Sequence, residues 1–244
     1  MITQAGDKTA RLMDVVDGTW PAAEILRDGP WTLRRGAGGG KRVSAASTDR
    51  PVTDAQIDRA EAGLAAWGQP PLFRLTDRDL ALDAALAARG YDVIDPVLAY
   101  LGTTADLAAQ ARSPDCGSMA IWKPLAIQQE IWAEGGIGAG RIAVMQRATG
   151  PRTTLLGRWR NSPAATAFVA TTDGIAMLHA LEVSPDLRGK GMGRAMMIDA
   201  AAWALQQGAA ELSVVCTRAN AAGNALYSRL GMALVGGYHY RQKG

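Results

Sequence analysis

The apolar and polar positions fall into two stretches of different rhythm, meeting near residues 103–120. In the first, residues 11–29 predict a helix that includes Leu12, Val15 and Val16. Residues 31–35 and 42–46 predict short strands, with the turn-forming run Gly36-Ala37-Gly38-Gly39-Gly40 between them. Ile57, Ala60, Leu64 and Trp67 recur at helical spacing behind Thr53 or Asp54 as N-cap. Gly68 and Pro70-Pro71 close that helix. A strand at 72–75, a helix at 80–89 closed by Gly90, and an extended stretch at 92–101 follow.

Residues 103–114 are small, polar and Ala-rich, and predict a connection. Beyond it the pattern predicts a helix over 122–134, then strands at 142–147, 153–159, 165–171 and 175–183. Asp173-Gly174 is a hairpin-turn signal between the last two. A helix over 192–207 carries Ala195, Ile198, Ala202 and Leu205 on one face. A strand at 211–216, a helix at 221–229 and a final strand pair at 232–240 complete a mixed α/β order. The chain therefore divides into 1–102, a linker at 103–120, and 121–244.

Composition narrows the function classes. Of 244 residues, 48% are hydrophobic and 20% charged, as in a chain that buries a real core. The net charge of +3 is spread without a Lys/Arg tract, which argues against nucleic-acid and membrane partners. No run of apolar residues is long enough to span a bilayer, and residues 1–20 show no signal-peptide core. The chain has two His, His179 and His239, and two Cys, Cys116 and Cys216. That excludes a Cys/His zinc site with motif spacing and a disulfide scaffold. A single long-range disulfide stays open, but a reduced, cytoplasmic chain is the expectation. Monomer and homodimer both stay open.

The richest chemistry lies in Val183-Ser184-Pro185-Asp186-Leu187-Arg188-Gly189-Lys190-Gly191-Met192-Gly193. A predicted strand enters this loop and a predicted helix leaves it. Glycines 189, 191 and 193 let backbone N–H groups approach a ligand, at a helix N-terminus that favours anions. Arg188, Lys190 and Arg194 add positive charge. These features describe a phosphate or pyrophosphate cradle. It is neither a P-loop nor a Rossmann G-x-G-x-x-G. Gly36-to-Arg42 fails the P-loop pattern too, and reads as a hairpin turn.

The spacing Arg188-x-x-Gly191-x-Gly193 resembles the acyl-CoA signature of the GCN5-related N-acetyltransferase (GNAT) superfamily. Downstream, Asn220-Ala221-Ala222-Gly223-Asn224-Ala225-Leu226-Tyr227-Ser228-Arg229-Leu230-Gly231-Met232 is similar to that family's closing segment. Met232 replaces the usual aromatic, and Gly223 stands where a small Ala is common. The resemblance covers about residues 141–244 and implies a GNAT-like α/β fold with a mixed sheet. The first half looks like a degenerate repeat of it in a tandem arrangement, on the likeness of Leu86-Ala87-Ala88-Arg89-Gly90-Tyr91 to Leu226-Tyr227-Ser228-Arg229-Leu230-Gly231.

The resemblance also implies roles. The backbone of Arg188, Gly189, Lys190, Gly191, Met192 and Gly193 is expected to hold the CoA pyrophosphate, with Arg194 beside it. Leu181 and Val183, on a splayed strand, are expected to pair with the pantetheine arm. Asn220 would contact that arm or order the next loop, and Tyr227 would be the general acid on the departing sulfur. For the base there are two candidates. His179 stands nine residues before Arg188, where arylalkylamine N-acetyltransferases carry a His; Glu182 would reach the site if the strand bulges. Strict alternation sets His179, Leu181 and Val183 on one face and Glu182 on the other. The implied activity is acetyl transfer from acetyl-CoA to a primary amine, on a small molecule or a peptide, with no metal. The alternatives are a non-catalytic acyl-CoA sensor and a structural interaction protein.

Overall fold

The computed structural model describes residues 2–243, with side chains from Lys8 onward. The first half runs α1 (Ile2–Thr19), β1 (Glu24–Asp28), β2 (Trp31–Arg35), β3 (Ser47–Thr48), α2 (Asp54–Ala65), β4 (Leu72–Thr76), α3 (Leu80–Ala88) and β5 (Asp92–Thr103). Then follow α4 (Thr104–Ala108), β6 (Cys116–Ile121), α5 (Ala126–Glu134), α6 (Ala139–Arg147), β7 (Arg152–Trp159), β8 (Ser162–Thr172) and β9 (Ile175–Val183). The order ends with α7 (Met192–Gln206), β10 (Glu211–Thr217), α8 (Ala221–Arg229) and β11 (Ala233–Gln242).

Local chemistry sets many of these boundaries. Thr53 caps α2 in a reciprocal box with Gln56, each side chain bonding the other's backbone N–H. Gly68 and Gly90 take φ of +68° and +80° just after α2 and α3, where a side chain would be strained. Thr103 caps α4 by accepting from the Asp106 N–H. Asp173 and Gly174, both at positive φ, turn β8 into β9.

Five expectations are corrected. The final strand pair at 232–240 is one continuous strand, β11, with a register shift between Leu234 and Gly236. The helix predicted over 11–29 is α1 followed by the separate strand β1; Pro21 intervenes, and β1 pairs along its length with β2. Residues 42–46 form a 3-10 turn and one bridge, Ala46 to Phe73, because glycines 38 and 40 fold the chain back. Residues 142–147 belong to helix α6, whose Val144 and Met145 are buried beneath Trp20 and Trp132; a short apolar run does not distinguish strand from helix. Strand β6, paired throughout with β7, lies in a stretch read as connection.

Eight strands form one sheet in the order β4-β11-β5-β10-β9-β8-β7-β6, and β1-β2-β3 form a second, smaller sheet. The large sheet is antiparallel except between β9 and β10. Strand β5, from the first half, is hydrogen-bonded to β10 on one side and β11 on the other. On one face α7 seals an apolar layer built from Ala167, Val169, Ala176 and Leu178 against Ala200, Ala201 and Ala204. On the opposite face α1 covers Met177, Ile175 and Tyr238 through Leu12, Val15 and Val16, while α5 and α6 cover Phe168. The sheet is thus a single wall between two helical layers, and the loops at the β9 end sit between them.

Candidate active site

Strands β9 and β10 pair only from Ile175 opposite Glu211 to Leu178 opposite Val214. Beyond that point they part. Ala180 takes φ of +52°, and β9 carries an extra residue against β8: Thr166 faces Glu182 while Phe168 faces His179. The Trp132 indole N–H donates to the Ala180 carbonyl at 2.7 Å and holds the bulge. Ser184 N–H donates to Ala164 O. By alternation the amides of Leu181 and Val183 turn away from β8, into the gap left by β10.

The bulge also corrects the face assignment. Leu181 and Val183 pack on the α7 side with Leu178, while His179 and Glu182 both lie on the α5 side. A Cβ on Gly135 would strike the Glu182 carboxylate, so this glycine makes room for it.

Below the gap, Pro185–Leu187 form a 3-10 turn, and Gly189 and Gly191 take φ of +75° and +90°. Gly191 is the N-cap of α7, with no side chain capping it. Among the described residues, no acceptor takes the backbone N–H groups of 189–194. They form a concave row of orphan donors at the positive end of a 15-residue helix. The three cations differ in duty. Arg188 bonds the Glu182 carboxylate at 2.8 Å and the Val183 carbonyl at 3.1 Å. Lys190 lies 4.5 Å over the Trp159 ring. Arg194 is tied to Gln110 and the Ala111 carbonyl, fastening α7 to the chain before β6.

Asn220 caps α8, its Oδ1 accepting from Gly223 N–H at 2.9 Å. A Cβ at Gly223 would stand 3.0 Å from Cys216 Sγ, which explains glycine there. Tyr227 is buried, its phenol pushed far up by burial, with Cys216 and Tyr100 adding to it. Its hydroxyl bonds nothing among the described residues, yet it is not among the sealed, unsatisfied atoms. The Tyr100 ring packs on it at 5.4 Å, and the Tyr100 hydroxyl donates to Asn224 Oδ1 at 3.2 Å. Asn224 in turn donates to the carbonyls of Thr217 and Arg218, where β10 ends.

His179 is enclosed. Trp20 and Phe168 flank its ring, Nε2 is 2.8 Å from Thr19 Oγ1, and Nδ1 is 2.9 Å from Arg42 Nη1. A guanidinium only donates, so Nδ1 is the acceptor and Nε2 carries the hydrogen. Thr19 passes its own hydrogen to the Val15 carbonyl at 2.6 Å. Burial, then Arg42, hold the imidazole well below its usual range. The chain brings Leu181, Val183, the loop at 188–193 and Tyr227 around one gap, with Glu182 at its opposite rim; His179 sits behind that rim, under α1. His239 lies elsewhere, bonding Asp83 beside Arg241. Tyr100, Asn224, Thr19 and Arg42 escaped the sequence reading, because no local spacing links residue 100 to 224 or residue 42 to 179.

A parallel pair splayed at a bulge leads into a glycine loop at a helix N-terminus, the arrangement that the resemblance of the sequence implied. Residues 127–232 match the model of the acetyltransferase (GNAT) family. Over 97% of this chain and 99% of the relative, the sequence is 25% identical to an uncharacterized N-acetyltransferase, YobR, of Bacillus subtilis (strain 168). The fold is similar to that of a GCN5-related N-acetyltransferase from Kribbella flavida, with a TM-score of 0.75 and 18% identity over 96% of this chain and 95% of that one. It is also similar to a tandem GNAT protein from the clavulanic acid biosynthesis pathway, with a TM-score of 0.63 and 13% identity over 89% of this chain and 80% of that one. Among the described residues no helix is long and apolar enough to cross a membrane, and no group of three His, Cys, Asp or Glu is placed to hold a metal.

Proposed function

We propose that the protein transfers the acetyl group of acetyl-CoA to a primary amine by direct attack within a ternary complex. The observation that carries this reading is the continuity of the β9–β10 gap with the row of orphan N–H groups at 189–194. A CoA molecule matches both parts: an amide-bearing arm for the gap and a pyrophosphate for the row. Acetyl-CoA supplies an acyl group activated as a thioester.

The chain's residues divide the remaining work. Leu181 and Val183 pair with the arm as an added strand edge, and the Val183 N–H lies where a carbonyl oxygen gains negative charge. The amine nitrogen bonds to the acyl carbon as the carbon–sulfur bond breaks. Glu182 takes the amine's proton, directly or through water, and the Tyr227 phenol donates to the departing thiolate. Glu182 suits the base role better than His179: its carboxylate gives Oε1 to Arg188 and keeps Oε2 for the amine, whereas both ring nitrogens of His179 are engaged. Asn220 orders the turn into α8, and His179 holds α1 against the bulge.

We read residues 1–102 as a degenerate GNAT-like repeat joined through 103–120 to the catalytic half at 121–244. The likeness to a tandem GNAT protein over most of the chain supports this.

The test is release of CoA thiol from acetyl-CoA across polyamines, amino acids, arylalkylamines, aminoglycosides and Lys peptides. Release is expected with one amine class, and Tyr227→Phe lowers kcat by about 10²-fold. Acetyl-CoA binding without amine-dependent release points to a sensor; no binding at all removes the reading.

A further inference from the structure

A cavity of about 780 Å³ opens between α1 and the small sheet, and none of the residues around the β9–β10 gap lines it. Its volume falls within the ~300–1,000 Å³ typical of small-molecule sites. From α1 it receives Met13, Asp14 and Asp17, which are spaced along one helical face. From the sheet it receives Arg27 and Arg34, on the β1–β2 face that Ile25 shares; Ile25 pairs across with Arg34, and Arg27 with Thr32. An acidic helix face therefore opposes a basic sheet face.

The floor is an ion triad of two buried arginines and one partly buried carboxylate. Arg34 reaches Asp17 through Nε at 3.2 Å and Nη2 at 2.5 Å, and Arg74 reaches it through Nη1 and Nη2 at 3.1 and 3.2 Å. Burial pushes the Asp17 carboxyl up, but the two guanidiniums outweigh it and hold the group low. Two sealed cations share one carboxylate, so the floor carries an excess of positive charge. Such a triad is weak evidence for stability by itself.

The walls hold opposite charges that do not meet. Asp14 makes no hydrogen bond or ion pair among the described residues, and burial and Asp17 push its carboxyl up. Arg27 feels the Asp14 charge, but it spends its guanidinium on one long bond, 3.3 Å, to Thr32 Oγ1. Ile25, half-exposed, lines the same cavity with Met13 and Leu82.

We propose that this cavity binds a small zwitterion of the apolar α-amino acid class. Its ammonium sits on Asp14, its carboxylate on Arg27 and the positive floor, and its side chain on Ile25, Met13 and Leu82. The site is separate from the acyl-transfer cleft, and its test does not depend on that chemistry.

Isothermal titration of the whole protein uses L-phenylalanine beside two probes that each lack one charge, 2-phenylethylamine and 3-phenylpropanoate. L-Phenylalanine binds, and each single-charge probe binds at least about tenfold more weakly. Asp14→Asn weakens L-phenylalanine about tenfold and leaves 3-phenylpropanoate unchanged; Arg27→Gln weakens L-phenylalanine and leaves 2-phenylethylamine unchanged. Both side chains are exposed, so neither substitution opens a hole in the core and both variants fold. No binding of L-phenylalanine up to about 10 mM overturns the proposal. Equal affinity for the three probes overturns it as well. So does binding indifferent to Asp14→Asn, which would lie elsewhere, the amine cleft included.

Discussion

At the scale of single residues, the proposed acid depends on neighbours from the other end of the chain. Tyr100 packs on Tyr227 and anchors Asn224, which is itself fixed to the end of β10. Tyr100→Phe keeps the packing and removes the anchor. It should lower kcat by about threefold to tenfold, leave the acetyl-CoA KM unchanged and shift the pH–rate profile. His179 gives a separate, thermodynamic signal. Its imidazole is depressed in the folded state relative to about 6.5 in the unfolded chain. The unfolded chain therefore binds the extra proton first as pH falls. The stability His179 contributes is complete above about pH 6.5 and is lost as pH drops below it. Urea midpoints taken between about pH 8 and pH 5 should fall more steeply for the wild type than for His179→Gln. Equal slopes would mean that His179 is not held neutral. The histidine was visible in the sequence, but its enclosure was not. Thr19, Trp20 and Arg42 reach it through tertiary packing that leaves no trace in spacing.

At the scale of elements, what could be read was what lies contiguous in the chain. The loop from Val183 to Gly193 and the capped helix after Asn220 carry their geometry in neighbouring residues, so both were legible. The bulge at Ala180 was not, because alanine gives no sign of a positive φ. One extra residue there moved Leu181 and Val183 to the α7 side and left Glu182 with His179. Helix α6 was missed for another reason: its Ile142 and Val144 favour strands intrinsically, and only burial of Val144 and Met145 under α5 decides for helix. The glycine loop offers the cleanest test at this scale. Gly191 holds φ of +90°, and a Cβ there would meet Cys116 Sγ at an ordinary 3.9 Å, so Gly191→Ala adds backbone strain of about 1–2 kcal/mol without a clash. The thermal midpoint should drop by a few degrees and the acetyl-CoA KM should rise about tenfold, with kcat little changed. An unchanged KM would remove the loop from the binding site.

At the scale of the whole molecule, the two halves share one hydrogen-bonded wall. Strand β5 stands between β10 and β11, burying Val97, Ala99 and Tyr100 there. A fragment of residues 121–244 would therefore leave two strand edges facing an empty place. It is expected to be aggregation-prone or loosely packed, with strong binding of a hydrophobic dye, and to recover a native spectrum when residues 1–120 are supplied as a second chain. A fragment that folds alone and releases CoA would show that β5 is dispensable. The mixed sheet and its GNAT character were legible from the second half, but the place of β5 was not, since strand order is fixed by long-range pairing. That interleaving bears on how the protein comes into being. Strand β5 ends at Thr103, and the strands that flank it begin at Glu211 and Ala233. On the ribosome, the early strand emerges and waits, unpartnered, while the intervening chain is synthesised. Piecewise maturation, first half and then second, is closed to this topology. The catalytic wall assembles in one late, cooperative event, and until then β5 is an exposed edge that a chaperone would be expected to guard.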